Sequence, residues 1–422
     1  VVMASAKTKP AALASAKTLI HAGSLIDGRA DAPRQNVTIT IEGDRITGLA
    51  DGFTAPGAGD TVIDLKNATV MPGLMDMHVH LDGQQSAESY TEGFFLNPGD
   101  YALRAAFYAR KTLLAGFTTV RNLGDSGYST RSLRKAVNAG WVDGPRVYTA
   151  GPAIGTTGSH ADPTNGYSDE IIRELATPEV FNGADGARAA VRDHAKHGAD
   201  LIKIVATGGV LSLGDSAQGA QMTPDEVKAV VETAHEYGMK VAVHAHGAEG
   251  MKRAILAGAD SIEHGTFMND EIIELMKSHG TYFVPTLSAG RFVMAKAKAN
   301  PGFLPPSVAA KAMLVGPAMT ATFQRAYQSG VKIAFGTDQG VAPHGENAQE
   351  FVYMVEAGMP PMKAIQSATL ECARLIGIEK DLGTVESGKF ADLVAVPGNP
   401  LADISLMTKV SFVMKGGKIY KQ

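Results

Sequence analysis

The sequence predicts an α/β protein: a (β/α)8 barrel carrying a small, discontinuous β-sandwich built from both ends of the chain. Three observations point there. The middle of the chain alternates short apolar strands with amphipathic helices, which argues for a parallel sheet. Eight such units spread over roughly 310 residues suit a closed barrel better than an open sheet. Both ends consist of alternating strands punctuated by Gly, Asp and Pro.

Taken in order, residues 1–16 are Ala/Lys-rich and lack periodicity, so a loose N-terminal tail is expected. A remnant beside a signal-cleavage site is an alternative, and it leaves cytoplasmic and exported locations both open. Short strands follow at Thr18–His21, Val37–Ile41, Arg45–Leu49 and Thr61–Asp64, an antiparallel unit by its turn signals. Gly388–Val396 and Lys409–Tyr420 mirror them, with Gly416-Gly417 as a hairpin turn. Residues 17–70 and 386–422 are therefore expected to pair as one β-sandwich domain around a barrel spanning 71–385.

The eight barrel strands are expected at Leu74–His80, Thr118–Asn122, Arg146–Ala150, Leu201–Ala206, Lys240–His244, Ser261–His264, Tyr282–Thr286 and Lys332–Thr337. Helical patterns lie at Asp100–Ala115, Pro224–Glu236 after the N-cap Thr223, Ala248–Ala257, Asn269–Ser278 and Val308–Gln328. Ala348–Ala357 and Pro361–Leu375 complete the outer layer.

Composition narrows the partners. The 422 residues are 45% hydrophobic and 19% charged, an ordinary globular balance. A net charge of −4 without a basic stripe gives no support for nucleic acid. No apolar run approaches the roughly 20 residues of a membrane span. The single cysteine, Cys372, excludes an intrachain disulfide and fits a small buried apolar residue.

The chemistry gathers at strand ends. In the first barrel strand His78 and His80 are two apart, so both imidazoles project to one side. Neutral imidazoles ligate zinc and similar divalent metals. Lys203 lies within strand four, His244 closes strand five, His264 closes strand six and Asp338 follows strand eight. Each alone has an ordinary explanation: a satisfied core histidine, a structural ion pair, a helix N-cap. Together they fall where a barrel keeps its functional groups, at the C-terminal ends of its strands. His160 after strand three, His246 after His244, Val210 and Leu211 after Lys203, and Arg291 after strand seven are candidate substrate contacts. A solvated arginine at a helix start is the plainer account of Arg291.

The motifs Met71-Pro-Gly-Leu-Met-Asp-Met-His78-Val-His80, Ile202-Lys203-Ile204, Val243-His244-Ala-His246-Gly247, Glu263-His264-Gly265, Gly336-Thr337-Asp338 and Gly383–Leu393 resemble those of the amidohydrolase superfamily, over essentially the full length. Ala206–Ser212 and His244–Gly247 are similar to the metal-dependent prolidase and Xaa-amino-acid carboxypeptidase branch, and beyond it to the bacterial ochratoxin-degrading amidohydrolases. The resemblance implies two divalent metal ions, usually zinc. His78, His80 and Asp338 would hold one, His244 and His264 the other, and Lys203 would bridge them as a CO2-derived carbamate. An ammonium cannot bind a cation, whereas a carbamate offers two anionic oxygens. The implied reaction is amide hydrolysis of N-acyl amino acids or dipeptides with an apolar C-terminal Phe or Pro, ochratoxin A included. The cations would acidify a bridging water, and Asp338 would carry its proton to the departing amine. His160 and His246 would bind or polarise the substrate carbonyl or carboxylate, and Arg291 would neutralise a carboxylate. Relatives of this kind often form homo-oligomers, octamers among them.

Three rivals remain at this level. A mononuclear deaminase would use Glu249, three residues after His246, as proton shuttle. An imidazolonepropionase- or lactonase-type enzyme would open a cyclic amide or ester with the same groups. A silent scaffold of the same fold is expected to have lost ligands, and none is lost here.

Overall fold

The computed structural model describes residues 16–175, 177–213 and 216–422, so the expected tail lies outside the described residues apart from Ala16. Strands Thr18–Leu25, Arg34–Glu42, Arg45–Asp51 and Thr61–Pro72 join Leu393–Pro397, Phe412–Lys415 and Lys418–Lys421 in one seven-stranded sheet. The two ends of the chain meet where Pro72 pairs with Leu393 and Ala68 with Pro397, antiparallel. Ile20, Ile39, Val70, Leu393 and Phe412 share one apolar cluster, which binds the two ends by burial as well as by hydrogen bonds. Gly416 and Gly417 make the hairpin turn, both at positive φ. The N-terminal unit is mixed rather than antiparallel throughout. After Asp51 the chain crosses to the far side of the first strand, so Thr61–Pro72 runs parallel to Thr18–Leu25.

Barrel strands one to three (Leu74–Val79, Phe117–Asn122, Arg146–Thr149) form one parallel run. Strands four to seven (Leu201–Val205, Lys240–Ala245, Ser261–His264, Tyr282–Val284) form another. Between the two runs, Ile154 pairs with Ile204 in the fourth strand. The eighth stave, expected over 332–337, is not a regular ladder. It closes the ring through a bridge from Phe283 to Ile333 and through bonds from Met77 N to Phe335 O (2.9 Å) and from Asp338 N to His78 O (2.8 Å). Gly336 passes so close to strand seven that a Cβ there would stand 2.2 Å from Val284.

Pro224–Glu236 and Ala248–Ala257 match the expected helices, and Thr223 forms a capping box with Glu226. The helix expected over 361–375 is instead two, Pro361–Ser367 and Leu370–Ile376. The barrel takes the carbonyls at the break: Phe335 N donates to Ser367 O and Met75 N to Ala368 O. Ser129–Asn138, Gly183–Lys196 and Leu287–Ala299 are further helices absent from the sequence reading. Two of them follow a left-handed N-cap residue, Tyr128 and Thr286, outside the usual cap pattern, and the third opens on Gly183 at positive φ after Asn182, whose side chain makes no cap bond. No helix among the described residues is long and apolar enough to cross a membrane.

One buried ion pair crosses the barrel interior. Arg121 Nη2 stands 2.8 Å from Glu263 Oε1, and neither side chain is exposed. The same guanidinium donates to Ser261 Oγ (3.0 Å) and Met77 O (2.6 Å), joining strands one, two and six. Removing one partner of a buried pair strands the other charge. Arg121→Met is therefore expected to destabilise the fold by about 3–5 kcal/mol in chemical denaturation. An unchanged midpoint would show that Glu263 does not depend on this partner.

Candidate metal centre

His78 and His80 leave the first strand toward Asp338, which follows the eighth stave. Asp338 Oδ1 lies 3.3 Å from His78 Nε2 and 3.2 Å from His80 Nε2. Ligand atoms of the three residues all fall within 4.8 Å of one another. Two imidazole nitrogens and a carboxylate oxygen at that spacing are a donor set that fits a divalent cation. Lys203 Nζ reaches to 3.4 Å from His78 Nε2. Beyond it the imidazoles continue: the His264 ring centroid is 5.0 Å from that of His78 and 4.6 Å from that of His244. His246 stacks on His264 at 5.0 Å, and His160 packs on His244 at 4.7 Å. These rings, with Lys203 and Asp338, line one cavity of about 360 Å³.

Local backbone conformation aims the ligands. His264 (φ 69°), Thr286 (φ 52°) and Asp338 (φ 59°) are left-handed at the ends of strands six and seven and of the eighth stave. Non-glycine residues hold that conformation only at a cost of about 1–3 kcal/mol each, repaid by surrounding structure. Part of that structure is visible. His264 Nδ1 and Thr286 Oγ1 are 2.7 Å apart, as are His246 Nδ1 and Thr266 Oγ1. His78 Nδ1 meets Glu263 Oε2 at 2.9 Å, and His80 Nδ1 meets Gly124 O at 3.0 Å. A partner on Nδ1 turns Nε2 of each ring toward the centre. Asp76 ties strand one to the eighth stave by accepting from His78 N, Thr337 N, Thr337 Oγ1 and Asn347 Nδ2. Burial nevertheless raises the Asp76 carboxyl to about 6.

Burial keeps the imidazoles neutral. It depresses His78, His244 and His264 well below the usual histidine range, with the neighbouring basic side chains adding to the effect. His160 and His246 fall to about 3 for the same reason. Burial also pulls on His80, but the Asp338 carboxylate outweighs it and the net shift is upward. Lys203 is lowered to about 8 by burial.

The remaining candidates divide. Val210 and Leu211 line the cavity. His160 lines it too, and its buried Nδ1 finds no partner among the described residues. Arg291 does not line it. Its guanidinium pairs with Glu356 at 2.6 Å and lies over the Tyr353 ring, because its helix turns Ala289, Gly290 and Val293 inward instead. Glu249, the shuttle of the deaminase alternative, is exposed and bonds Arg253 at 2.8 Å, away from the cavity lining. The sequence reading passed over Glu263, Asp76, Thr266 and Thr286. A carboxylate inside an expected barrel strand, Ser261-Ile-Glu-His264, was the available signal, since a buried carboxylate needs a partner.

A model of the amidohydrolase family matches residues 69–420. The chain belongs to the amidohydrolase family. Among its relatives, ochratoxinase of Aspergillus niger is 33% identical over 96% of this chain and 86% of that protein. The crystal structure of the Aspergillus niger enzyme superposes with a TM-score of 0.83, at 32% identity, covering 96% of both chains. A crystal structure of an Xaa-Pro dipeptidase with methionine bound in its active site is 53% identical, with a TM-score of 0.93 over 96% of this chain and all of that one. A prolidase complexed with N-methylphosphonate-L-proline is 30% identical, with a TM-score of 0.87 over 96% of this chain and all of that one.

Within this amidohydrolase, Glu263 is the group that orients His78. Glu263→Gln is expected to weaken divalent-metal affinity about 10–100-fold, as loss of such an outer partner does. Competitive zinc titration measures it, and unchanged affinity would remove Glu263 from the centre.

Proposed function

We propose that this amidohydrolase is a binuclear metal enzyme that cleaves the amide bond of N-acyl amino acids or dipeptides ending in an apolar residue of the Phe or Pro type. His78, His80 and Asp338 would hold one cation, His244 and His264 the other, and the carbamate of Lys203 would join them. Zinc is the expected metal. When bound, such a pair of cations lowers the pKa of water and polarises a carbonyl. The observation that carries the reading is the shared cavity: neutral imidazoles, a buried lysine and Asp338 meet an apolar wall within one space.

The chain's own groups then have separate tasks. Asp338, at the centre of the ligand cluster, takes a proton from the attacking water and returns it to the amine nitrogen as the C–N bond breaks. An amine leaves poorly without that proton. His160 and His246, both neutral, present N–H groups to the carbonyl or the carboxylate of the substrate. Val210, Leu211, Ala289, Val293, Val315 and Met319 receive the apolar side chain. The named activities of the relatives, ochratoxinase and Xaa-Pro dipeptidase, support this choice of substrate class.

A panel of N-acyl amino acids and dipeptides varied at the C-terminal residue, with ochratoxin A included, tests the reading. Preferred turnover of Phe- or Pro-terminated amides is expected, with release of the free amino acid. Hydrolysis of cyclic amides or lactones alone would favour the imidazolonepropionase- or lactonase-type alternative, and release of ammonia alone would favour a deaminase. Asp338→Asn should keep its far-ultraviolet spectrum yet lose about 100-fold or more in kcat. Full activity would assign the proton transfer to another group.

A further inference from the structure

The apolar wall includes a segment that no regular element holds. Residues 207–213 follow the fourth barrel strand as an irregular loop, and Val210 and Leu211 on it face the cavity. Carbonyls in such a loop lack a ladder and need other partners. Here side chains from distant parts of the fold supply them. Gly208 O lies 3.1 Å from His244 Nε2. Lys311 Nζ donates to Gly209 O at 2.9 Å and to Ser212 O at 2.7 Å. Tyr90, on the loop after the first strand, donates to Leu211 O at 2.9 Å. Lys311 thus spans the two apolar residues from one side and Tyr90 holds the carbonyl between its two contacts.

Lys311 is out of place by composition. It is buried at 7% exposure on helix Pro306–Gln328, in register with Val315 and Met319, which line the cavity one and two turns further on. An ammonium inside an apolar stripe is costly unless its hydrogen bonds are made. The loop also touches the catalytic side. A Cβ on Gly209 would stand 2.4 Å from the His160 ring, so the loop backbone packs directly against that ring. Any shift at Gly209 moves Val210 and Leu211 relative to the histidines.

We propose that Lys311 and Tyr90 form a clamp that sets substrate selectivity by holding Val210 and Leu211 at a fixed distance from His160. Both are positioning residues: they bond the loop backbone and do not line the cavity. The proposal rests on the amide-hydrolase reading for the identity of the substrate, while the clamp itself is a statement about the loop.

The test uses zinc-loaded full-length protein with Tyr90→Phe and Lys311→Met. Kinetics on N-acetyl-phenylalanine and N-acetyl-glycine are expected to show KM for the phenylalanine substrate rising about fivefold in Tyr90→Phe and about tenfold in Lys311→Met, with kcat and the glycine substrate within about twofold of wild type. Backbone hydrogen exchange in the peptide covering 205–213 should speed up in both variants, and calorimetric affinity for free phenylalanine should fall. An equal loss on both substrates would reduce the pair to general structural support. Unchanged selectivity with unchanged exchange would overturn the clamp. If Lys311→Met does not fold, Tyr90→Phe decides alone, since it removes one hydroxyl and keeps the ring. If wild type cleaves no amide, the functional reading fails by itself, and exchange with phenylalanine binding still decides the clamp.

Discussion

A buried lysine with no carboxylate at ion-pair distance among the described residues is the constraint on which the mouth of this barrel depends. Lys203 is 3% exposed, and its Nζ meets an imidazole at 3.4 Å. Among the described residues no carboxylate comes within ion-pair distance of it, although Glu263 and Asp338 act on it from further off. Holding an ammonium there costs several kcal/mol after relaxation. Burial answers part of that cost by lowering its pKa to about 8, which opens the neutral amine. The neutral amine is the form that reacts with CO2, and in the proposed centre a carbamate at Lys203 would replace a buried cation with an anion able to hold metal.

The groups around it follow from the same electrostatics. Imidazoles crowded against Lys203 are kept neutral by burial first and by the basic groups packed around them second, since protonating one ring would set its charge against the others. Neutral rings ligate metal, whereas charged ones do not. Their orientation is set from behind, by Glu263, Thr286, Thr266 and the Gly124 carbonyl. Glu263 is in turn held by Arg121 from strand two, so one chain of buried charge runs from the barrel interior to His78. Left-handed backbone at His264, Thr286 and Asp338 completes the aim of three strand ends. The apolar half of the cavity is built differently, from a helix pair and an irregular loop, so selectivity can vary while the polar half stays fixed.

Much of this was legible in the sequence, and the reason is periodicity. Alternation places His78 and His80 on one side, and strand ends mark His244, His264 and Asp338, because a barrel puts those ends on one rim. What was not legible depends on contacts between distant segments. Arg291 lies one turn into its helix, and nothing local shows that Glu356 holds it away from the cavity. The break at residue 369 arises because the barrel takes two helical carbonyls, a tertiary event with no local pattern. The mixed strand order reflects a chain crossing after Asp51 that turn residues alone do not direct. Lys311 lies inside an expected helix, and nothing local shows that its ammonium reaches the loop after Lys203.

The most direct test of the bridging lysine is metal stoichiometry by elemental analysis of wild type and Lys203→Ala, both saturated with zinc and bicarbonate and freed of loose metal. The account predicts about two ions per chain in wild type and the loss of at least one on substitution, since the proposed carbamate of Lys203 would be the ligand common to both. Equal metal content in the two proteins would contradict it.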